Sequence, residues 1–317
     1  MTAPAIADLG FGGASLGNLY HQVADDDAQA TLEAAWQGGI RRYDTAPHYG
    51  LGLSERRLGE FLRGKPRDQF NISTKVGRLL RPNADPAPGS DLDNGFDVVA
   101  DQVRVFDPSE AGIRATLEGS LERLGLDRVD TLYLHDPDVY DLDRGLAEGL
   151  PALAKLRAEG LVGRIGIGTN TVAAALAAVR AGDLDVVMIA GRLTLLEQPA
   201  LAELLPLCVE RGVGVVAVGV FNSGLLSTSS PAAGGRYDYG TVPADLLARA
   251  VALADECRAA GIELPVAALQ YPLRHPGVES VVVGAGRPAH IVENLERWAT
   301  DIPESFWEQL ASKGLIP

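Results

Sequence analysis

Short apolar runs rich in β-branched residues alternate along the chain with longer runs in which apolar residues recur every three or four positions. The short runs are typical of buried parallel strands, and the longer ones of amphipathic helices. Eight segments fit the strand pattern: ADLGFGGAS, IRRYDT, FNISTKV, VDTLYLH, RIGIGT, DVVMIA, GVVAVGV and SVVVGA. Each is followed by a helix-like segment: DAQATLEAAWQGG, SERRLGEFLRG, PSEAGIRATLEGSLERLG, GLPALAKLRAEG, TVAAALAAVRAG, PALAELLPLCVERG, PADLLARAVALADECRAAG and RPAHIVENLERWA. The pattern therefore predicts eight strand–helix units.

Eight successive units favour an α/β fold of the (β/α)8 TIM barrel type over an open doubly wound sheet, which more often stops at about six strands. No linker, repeat or low-complexity tract interrupts the 317 residues, so we expect one domain over residues 1–317. Two irregular stretches, Val76 to Asp107 and Asn222 to Pro243, each follow a predicted strand. We expect long loops there, at the C-terminal face of the barrel where active sites lie.

The charge and the cysteines narrow the class of protein. A formal net charge of -14 argues against nucleic acid or an anionic membrane surface as a partner, because both would repel the chain. Cys208 and Cys257 lie in helix-like segments without metal or C-x-x-C spacing, so a reducing compartment fits. Neither a basic leader with an apolar run nor a membrane-length apolar stretch is found, which predicts a soluble cytoplasmic protein. The oligomeric state is left open between monomer and homodimer.

Four polar residues stand at or just after the ends of predicted strands: Asp44, Lys75, His135 and Asn170. Tyr49 follows in the loop after Asp44. Because the strand ends of a barrel converge on one mouth, residues distant in sequence can meet there. We therefore expect an active site built from these side chains.

Lys75 is the most informative of these residues, because the chain has only four lysines and otherwise uses arginine as its cation. A buried stem with a solvated head would be the structural alternative. The functional interpretation is a cation that pairs with Asp44 and lowers the pKa of a nearby phenol, Tyr49, towards the range useful for acid–base catalysis. His135 would then hydrogen-bond the reacting oxygen.

Other mechanisms find little support in the sequence. No histidine pair has i, i+4 metal spacing and no Cys/His cluster occurs, so we predict no metal site. FNSGLL does not match the nucleophile elbow of serine hydrolases. GFGGASLG and GLGLSE imitate a dinucleotide fingerprint without completing it, and we interpret both as tight turns.

The ordered residues and their surroundings resemble the aldo-keto reductase superfamily over essentially the whole chain. The segments that carry the resemblance are DTAPHYGLGLSERRLGEFL, STKVG, SLERLGLDRVDTLYLHDPD and ENL. It implies a catalytic tetrad: Tyr49 as general acid/base, Lys75 as the modulator of its pKa, Asp44 as the partner of Lys75, and His135 as the residue that positions the carbonyl or hydroxyl oxygen.

The resemblance also implies a nicotinamide cofactor, extended across the mouth without a Rossmann motif. Thr169 and Asn170 would hold the carboxamide, Gly219 to Leu225 the pyrophosphate through backbone amides, and residues from Gly284 onwards the adenosine half. The positions implied for the cofactor are Gly12, Gly13, Ala14, Asp44, Thr169, Asn170, Gly219, Val220, Phe221, Asn222, Gly224, Leu225, Gly284, Gly286, Arg287, His290, Glu293 and Asn294.

Two departures from the family pattern affect the cofactor. Many members place a Gln under the nicotinamide and a stacking Tyr on it, where this chain has Ala190 and Val218; Phe221 is our candidate substitute for the Tyr. NADPH-dependent members usually carry cations where this chain has Gly284 and His290, which leaves Arg287 as the certain cation. We therefore predict that NAD is accepted and preferred, with NADP as the alternative.

The same motifs look most like the branch of the family that oxidises aldoses of the L-fucose, D-arabinose or L-galactose type at C1 to the lactone. Oxidation of pyridoxal, or reduction of carbonyl compounds in general, is the alternative within enzymes, and a cofactor-binding regulatory subunit is the alternative outside them. The residues proposed to contact the substrate are Asn18, Tyr20, His48, Tyr49, His135 and Asp136, with Asn222 as a further candidate and Phe106 or Phe221 as partners for an aromatic ring.

Overall fold

The computed structural model describes residues 3–84, 91–234, 236–237 and 240–317. In chain order, the strands of these residues are β1 (Leu9–Gly12), β2 (Arg42–Asp44), β3 (Asn71–Val76), β4 (Arg78–Pro82), β5 (Gln102–Phe106), β6 (Val129–His135), β7 (Val162–Thr169), β8 (Val186–Ala190), β9 (Gly214–Val218), β10 (Arg236–Tyr237), β11 (Gly240–Thr241) and β12 (Val278–Gly284). Strands β1, β2, β3, β6, β7, β8, β9 and β12 pair in parallel and close into a barrel. The predicted (β/α)8 architecture is confirmed: every barrel strand overlaps a segment predicted as a strand, although β7 and β12 each begin two residues earlier than predicted.

The helices of the described residues are α1 (Asp25–Gln37), α2 (Leu53–Leu62), α3 (Glu110–Leu124), α4 (Leu142–Arg144), α5 (Leu150–Ala158), α6 (Val172–Ala181), α7 (Leu204–Arg211), α8 (Ala244–Ala259), α9 (Leu264–Gln270), α10 (Pro288–Trp298) and α11 (Glu304–Ser312). Local chemistry sets several of their ends. Ser109 caps α3 by accepting from the Gly112 amide, and Thr171 caps α6 by accepting from the Ala174 amide. Gly125 ends α3 with a φ of 66°, in the left-handed conformation that glycine adopts without strain.

The two stretches that we predicted as irregular loops contain strands. Between Val76 and Asp107, β4 and β5 form an antiparallel hairpin, and their polar–apolar alternation QVRVF is typical of a half-exposed strand. Between Asn222 and Pro243, β10 and β11 form a second, two-residue pair. The surrounding Asp, Pro and Gly residues concealed both hairpins in the sequence. Parts of the predicted loops, residues 85–90, 235 and 238–239, lie outside the described residues.

One predicted crossover helix packs differently from our expectation. The buried face of α8 joins a second hydrophobic cluster with α11 and with leucines of the loops after β8 and β9. The short helix α9, whose seven residues are all buried, contributes to the same cluster and reaches the main core through Leu269. Its sequence LPVAALQ is too short to show helical periodicity, which is why the pattern did not predict it.

The interior of the barrel has two chemically different halves. Val186, Met188, Val216 and Val282 form an apolar cluster with Tyr133, against which Val218 also packs. We call the valines and Met188 the apolar half. Strands β2, β3 and β6 contribute instead Arg42, Asp44, Asn71, Ser73, Lys75 and Thr131, which we call the polar half. Because side chains alternate along a strand, Ser73 and Lys75 point to the same side of β3, as Arg42 and Asp44 do on β2.

Candidate active site

Asp44 and Lys75 form a buried ion pair at the carboxyl ends of β2 and β3. The Lys75 Nζ donates to Asp44 Oδ2 at 2.6 Å and to the Thr45 carbonyl at 3.0 Å, and Ser73 Oγ donates to the other Asp44 oxygen at 2.7 Å. Burial alone would lower the pKa of Lys75, but the Asp44 carboxylate and the Tyr49 phenol outweigh it and raise the pKa above its ordinary value. Lys75 is therefore a fixed cation whose position Asp44 determines.

Tyr49 lies against this cation in the loop after β2. The Lys75 Nζ is 4.6 Å from the centre of the Tyr49 ring. Burial raises the pKa of the phenol above its ordinary value, while the charge of Lys75 and a hydrogen bond from it act in the opposite direction. Lys75 therefore favours the phenolate, as predicted. The pKa of Tyr49 is nevertheless raised overall, because the effect of burial is larger than the effect of Lys75.

His135 and His48 stand beside Tyr49 as neutral rings. The His135 ring is perpendicular to Tyr49 with ring centres 6.0 Å apart, and His48 meets His135 edge to face at 5.5 Å. Burial and then the cations Arg78 and Lys75 lower the pKa of His135 well below its ordinary value. Burial, followed by Arg78, Arg104 and Lys75, lowers the pKa of His48 to about 2. A neutral His135 retains one N–H donor, which suits a residue that positions an oxygen.

Asp136 is engaged by protein groups, which changes its predicted role as a substrate contact. Its Oδ2 accepts from Arg78 at 2.6 Å, its Oδ1 accepts from the Asn170 amide at 3.2 Å, and its Oδ2 lies 3.4 Å from His135 Nε2. The residue is buried and has a φ of 39°, in the left-handed region that a non-glycine residue rarely adopts. Asp136 therefore connects His135 with Asn170 and with the hairpin residue Arg78.

The hairpin β4–β5 contributes residues that we did not predict from the sequence. Arg104 forms a bidentate ion pair with Asp91 and donates to the His48 carbonyl at 2.9 Å. Phe96 meets the His48 ring edge to face at 5.2 Å. With Arg78, these residues wall the mouth beside the tetrad. The alternation in QVRVF would have revealed the strand, and with it the inward position of Arg104.

The remaining substrate candidates occupy different surroundings. Asn18 Oδ1 accepts from Arg57 at 2.8 Å and from the Val23 amide at 3.1 Å, and its amide group donates to the Asp97 carbonyl. These bonds give buried Asn18 a structural role in place of the predicted substrate contact. Tyr20 is 38% exposed with its amide bonded to the Gly95 carbonyl, at the rim of the mouth.

An aromatic pair closes another part of the rim. The Phe106 and Tyr140 rings stack with centres 4.9 Å apart and planes 3° from parallel. Phe106 was a candidate to stack on an aromatic substrate, but in the structure Tyr140 already covers one of its faces. Phe221 is half-buried and packs against both hydrophobic clusters.

The residues predicted to hold the nicotinamide lie next to the tetrad. The Asn170 side chain donates to Asp136, whereas the Thr169 hydroxyl donates to Asp138 at 3.1 Å. Ala190 and Val218 are register partners at the ends of β8 and β9, above the apolar half. The polar side chains of Thr169 and Asn170 thus lie beside the apolar surface of Ala190 and Val218. This arrangement fits a flat ring that carries one amide group.

The loop predicted to wrap the pyrophosphate has a strained backbone. Gly219, Asn222, Ser223 and Gly224 all have φ values between 47° and 96°. The amides of Asn222, Gly224 and Leu225 donate to carbonyls within the loop, so the turn itself uses three of the amides that we assigned to the cofactor. The amides of Gly219 to Phe221 are then the candidates for an anion; the Val220 side chain is buried in the core. The Asn222 Oδ1 is buried without a hydrogen-bond partner among the described residues.

A polar cluster not predicted from the sequence joins the loops after β8 and β9. Arg192 donates to the Asn170 carbonyl at 2.8 Å, and Glu197 accepts from the Tyr237 hydroxyl in a short hydrogen bond. The Asn222 amide lies 3.5 Å from the same Glu197 carboxylate. These contacts fasten the segment around β10 beside the predicted cofactor positions.

The positions predicted for the adenosine half gather around the start of α10. Gly284 is exposed at the end of β12 and pairs with half-buried Gly12, while a Cβ on Gly286 would meet Ser15 and His21 at 3.9 Å. Arg287 and His290 are 3.1 Å apart at the N-terminus of this helix, a position that suits an anion.

The other predicted positions at this end are more enclosed. Gly13 is buried, and a Cβ there would lie 2.6 Å from Ser54 Oγ, whereas neighbouring Ala14 is half-buried. Glu293 pairs with Arg297 at 3.4 Å, and the buried Asn294 accepts from the same arginine. Their side chains are therefore already bonded within α10.

The described residues contain neither a metal cluster nor a membrane-spanning helix. Among residues 3–84, 91–234, 236–237 and 240–317, no three His, Cys, Asp or Glu side chains are grouped in a way that would hold a metal ion. None of the helices in the same part of the chain has the length and apolar character needed to cross a membrane.

Comparison with known proteins agrees with this site. Residues 8–314 match the model of the aldo/keto reductase family. The chain is 56% identical to a D-threo-aldose 1-dehydrogenase of a Pseudomonas species, over 99% of this chain and 95% of that protein, and 40% identical to the pyridoxal 4-dehydrogenase of Microbacterium luteolum, over 99% and 96%. An aldo-keto reductase from Bacillus halodurans, solved in its holo form, superposes with a TM-score of 0.77 at 25% identity and covers 98% of this chain and 92% of its own. The chain is an oxidoreductase that belongs to the aldo/keto reductase family.

Proposed function

We propose that this protein oxidises an aldose of the L-fucose, D-arabinose or L-galactose type at C1, with a nicotinamide cofactor as the hydride acceptor, and releases a lactone. The observation that carries the proposal is the contact of the Lys75–Asp44 pair with Tyr49, beside a neutral His135. The 56% identity to a D-threo-aldose 1-dehydrogenase supports this substrate class.

In this reaction Tyr49 would act as the base. Its phenolate takes the proton of the anomeric hydroxyl while C1 gives up a hydride, so one proton and one hydride leave the sugar. Lys75 stabilises the phenolate, since its charge opposes the effect of burial on the pKa of Tyr49. His135 donates its N–H to the same sugar oxygen, and the Asp136–Arg78 pair holds the orientation of that ring.

The residues fit a nicotinamide cofactor, which would supply the hydride acceptor. Asn170 offers an amide to the carboxamide, Ala190 and Val218 offer an apolar surface to the ring, and the N-terminus of α10 suits a phosphate. The Asn222 Oδ1, which is buried without a hydrogen-bond partner among the described residues, is a further acceptor in the loop predicted to hold the pyrophosphate. Each of these groups binds or orients, and none needs to react.

We further propose that NAD is preferred over NADP. Arg287 is exposed and is paired with His290, while Gly284 offers no side chain to a 2′-phosphate. Steady-state kinetics with both cofactors tests the proposal. A kcat/KM at least tenfold higher for NADP+, equivalent to about 1.4 kcal/mol of discrimination, would contradict it.

Pyridoxal is the second candidate substrate, supported by the 40% identity to a pyridoxal 4-dehydrogenase and by Phe96 next to Tyr49. An assay of NADH formation with L-fucose, D-arabinose, L-galactose and pyridoxal separates the two. We expect the sugars to be oxidised faster. Turnover of pyridoxal without turnover of any of these sugars would overturn the first choice.

Three further predictions accompany the proposed activity. We expect residues 1–317 to form one domain, the protein to be cytoplasmic, and the assembly to be a monomer or a homodimer. Light scattering decides the assembly, and cell fractionation the location. A regulatory role without catalysis is separated by Tyr49→Phe, because regulation would survive a change that abolishes turnover.

A further inference from the structure

A cavity lies beneath the catalytic pair, inside the barrel. It leaves about 40 Å³ for the centres of water molecules, and its lining extends from Asp44 to residues at the amino ends of the strands. Since one water needs roughly 10–15 Å³ of such space, the cavity has room for about three waters. Asn71, at its lower end, is exposed to solvent.

One side of this cavity is unusually polar for a barrel core, whereas Met188, Val216 and Val282 of the apolar half line the other side. Such interiors are normally filled with layers of Val, Ile and Leu. Here Ser73 and Thr131, which are register partners on β3 and β6, line the cavity and each keeps partial solvent exposure. Below them, Arg164 holds Glu279 in a bidentate ion pair at 2.7 and 2.9 Å. Polar walls of this kind stabilise water inside the barrel.

The cavity connects directly to the tetrad. Ser73 Oγ is 2.7 Å from Asp44 Oδ1, and the other Asp44 oxygen is 2.6 Å from Lys75 Nζ. Lys75 in turn contacts Tyr49. A continuous set of polar contacts therefore extends from the phenol at the mouth to Ser73 in the wall of the cavity.

We propose that this cavity is a hydrated shaft through which the proton released during oxidation leaves towards the N-terminal face of the barrel. This inference rests on the proposed function, because only oxidation releases that proton. A sugar and an extended cofactor would cover the mouth during the reaction. The shaft offers a second route to solvent on the opposite face.

The proton balance of the relay is simple. Before hydride transfer, Tyr49 passes its phenolic proton to Lys75, and at the same time Lys75 passes an ammonium proton to Asp44. Asp44 then gives a proton to water in the shaft. The phenolate then takes the proton of the sugar hydroxyl. Each turnover thus transfers one hydride to the cofactor and one proton to solvent, and the tetrad returns to its starting state.

Thr131→Leu and Thr131→Val test the shaft without changing a residue that contacts the tetrad. The leucine fills the shaft, and the valine removes the hydroxyl at nearly constant volume. We expect kcat to fall on the order of tenfold in the leucine variant and less in the valine variant, with a larger solvent deuterium isotope effect on kcat in both. The KM for the sugar should change little, and Thr131→Ser should restore the parent values.

Thr116→Val is the matched control, since Thr116 is a buried threonine that bonds the Gly112 carbonyl inside α3. Circular dichroism of all variants establishes that they fold. An unchanged kcat and isotope effect in folded Thr131→Leu would overturn the proposal, because the proton would then leave by the mouth.

A high-resolution crystal structure of the parent protein provides a readout that does not depend on activity. We expect ordered waters bonded to Ser73 and Thr131. A dry cavity would contradict the shaft even if the protein oxidises sugars. If the cavity holds ordered waters but the protein oxidises none of the tested sugars, the proposed function is wrong while the hydrated cavity is confirmed.

Discussion

The two halves of the barrel interior face the same mouth but differ in chemistry. The polar half holds Asp44 and Lys75 in fixed positions and lines one side of the cavity beneath them. The apolar half, with Val216, Val218 and Val282, offers packing without hydrogen bonds. In the proposed reaction the proton leaves over the polar half and the hydride over the apolar half. In that reaction, the composition of neighbouring strands would separate the proton from the hydride within one barrel.

The buried charges at the mouth of the barrel are arranged as pairs rather than as isolated ions. Lys75 is paired with Asp44, Arg78 with Asp136, and Arg104 with Asp91, and the side chains of all three pairs are at most 11% exposed. Two neutral histidines complete the site. Because each cation has a carboxylate partner, the site holds its positive charge near Tyr49 without a large net repulsion.

Replacing Tyr49 by Phe removes the group that accepts the proton and should have the largest effect. We expect kcat/KM for L-fucose to fall on the order of 10³-fold. Cofactor affinity, measured by fluorescence titration, should stay within about twofold of the parent, well below the 1.4 kcal/mol of a tenfold change. Residual turnover near the parent value would assign the base to another residue.

Replacing Lys75 by Met tests the electrostatic role of the polar half. Oxidation requires the phenolate, so the rate rises with pH through the pKa of Tyr49. Lys75 lowers that pKa, and its removal should therefore move the midpoint of the pH–rate profile to higher pH. An unmoved midpoint would show that Lys75 does not act on Tyr49.

The same substitution also leaves Asp44 as an unpaired buried carboxylate. Breaking a buried pair costs about 3–5 kcal/mol of unfolding free energy. The double variant Asp44→Asn, Lys75→Met should recover most of this loss in urea denaturation, while its activity stays low. Recovery of both the unfolding free energy and the activity in the double variant would mean that the pair serves stability alone.

Arg78→Met isolates the positioning of His135 by the hairpin. We expect kcat/KM to fall about tenfold, equivalent to 1.4 kcal/mol. Arg78 lowers the pKa of His135, so its removal should raise that pKa, and activity should be lost at a higher pH on the acid side. Arg81→Met on the exposed side of β4 is the control and should behave as the parent. Equal effects of the two variants would show that Arg78 does not position His135.

Val186→Thr should have the smallest effect on catalysis, because Val186 is a fully buried residue of the apolar half that does not line the cavity. A hydroxyl buried without a partner costs about 1–3 kcal/mol, so we expect a lower melting temperature. The kcat should nevertheless stay within about twofold, because no proton moves on this side. A loss of kcat as large as that of Thr131→Leu would mean that the two halves do not differ in function.

Much of the fold and the tetrad positions could be predicted because they depend on local patterns. β-Branched runs mark the barrel strands, and the polar residue that ends such a run, as Lys75 ends β3 and His135 ends β6, stands at the mouth by geometry. The order of Asp44, Tyr49, Lys75 and His135 then carried the resemblance to the family.

The partners of these residues could not be predicted in the same way. Arg78 meets Asp136 across 58 positions of sequence, and this contact depends on a hairpin hidden among Asp, Pro and Gly residues. The role of Asn18 changed for a similar reason, since Arg57 approaches it from α2. The net pKa of Tyr49 depends on a balance of burial and charge, which a sequence does not contain.

The oxidation of L-fucose labelled with deuterium at C1 tests the proposed hydride transfer and the role of Tyr49 in one experiment. We expect the parent protein to reduce the cofactor with a clear primary isotope effect and to form the lactone, whereas Tyr49→Phe should bind the cofactor and form almost no lactone. Lactone formation by Tyr49→Phe at the rate of the parent, or no oxidation of L-fucose, D-arabinose or L-galactose by the parent protein, would contradict the proposed reaction.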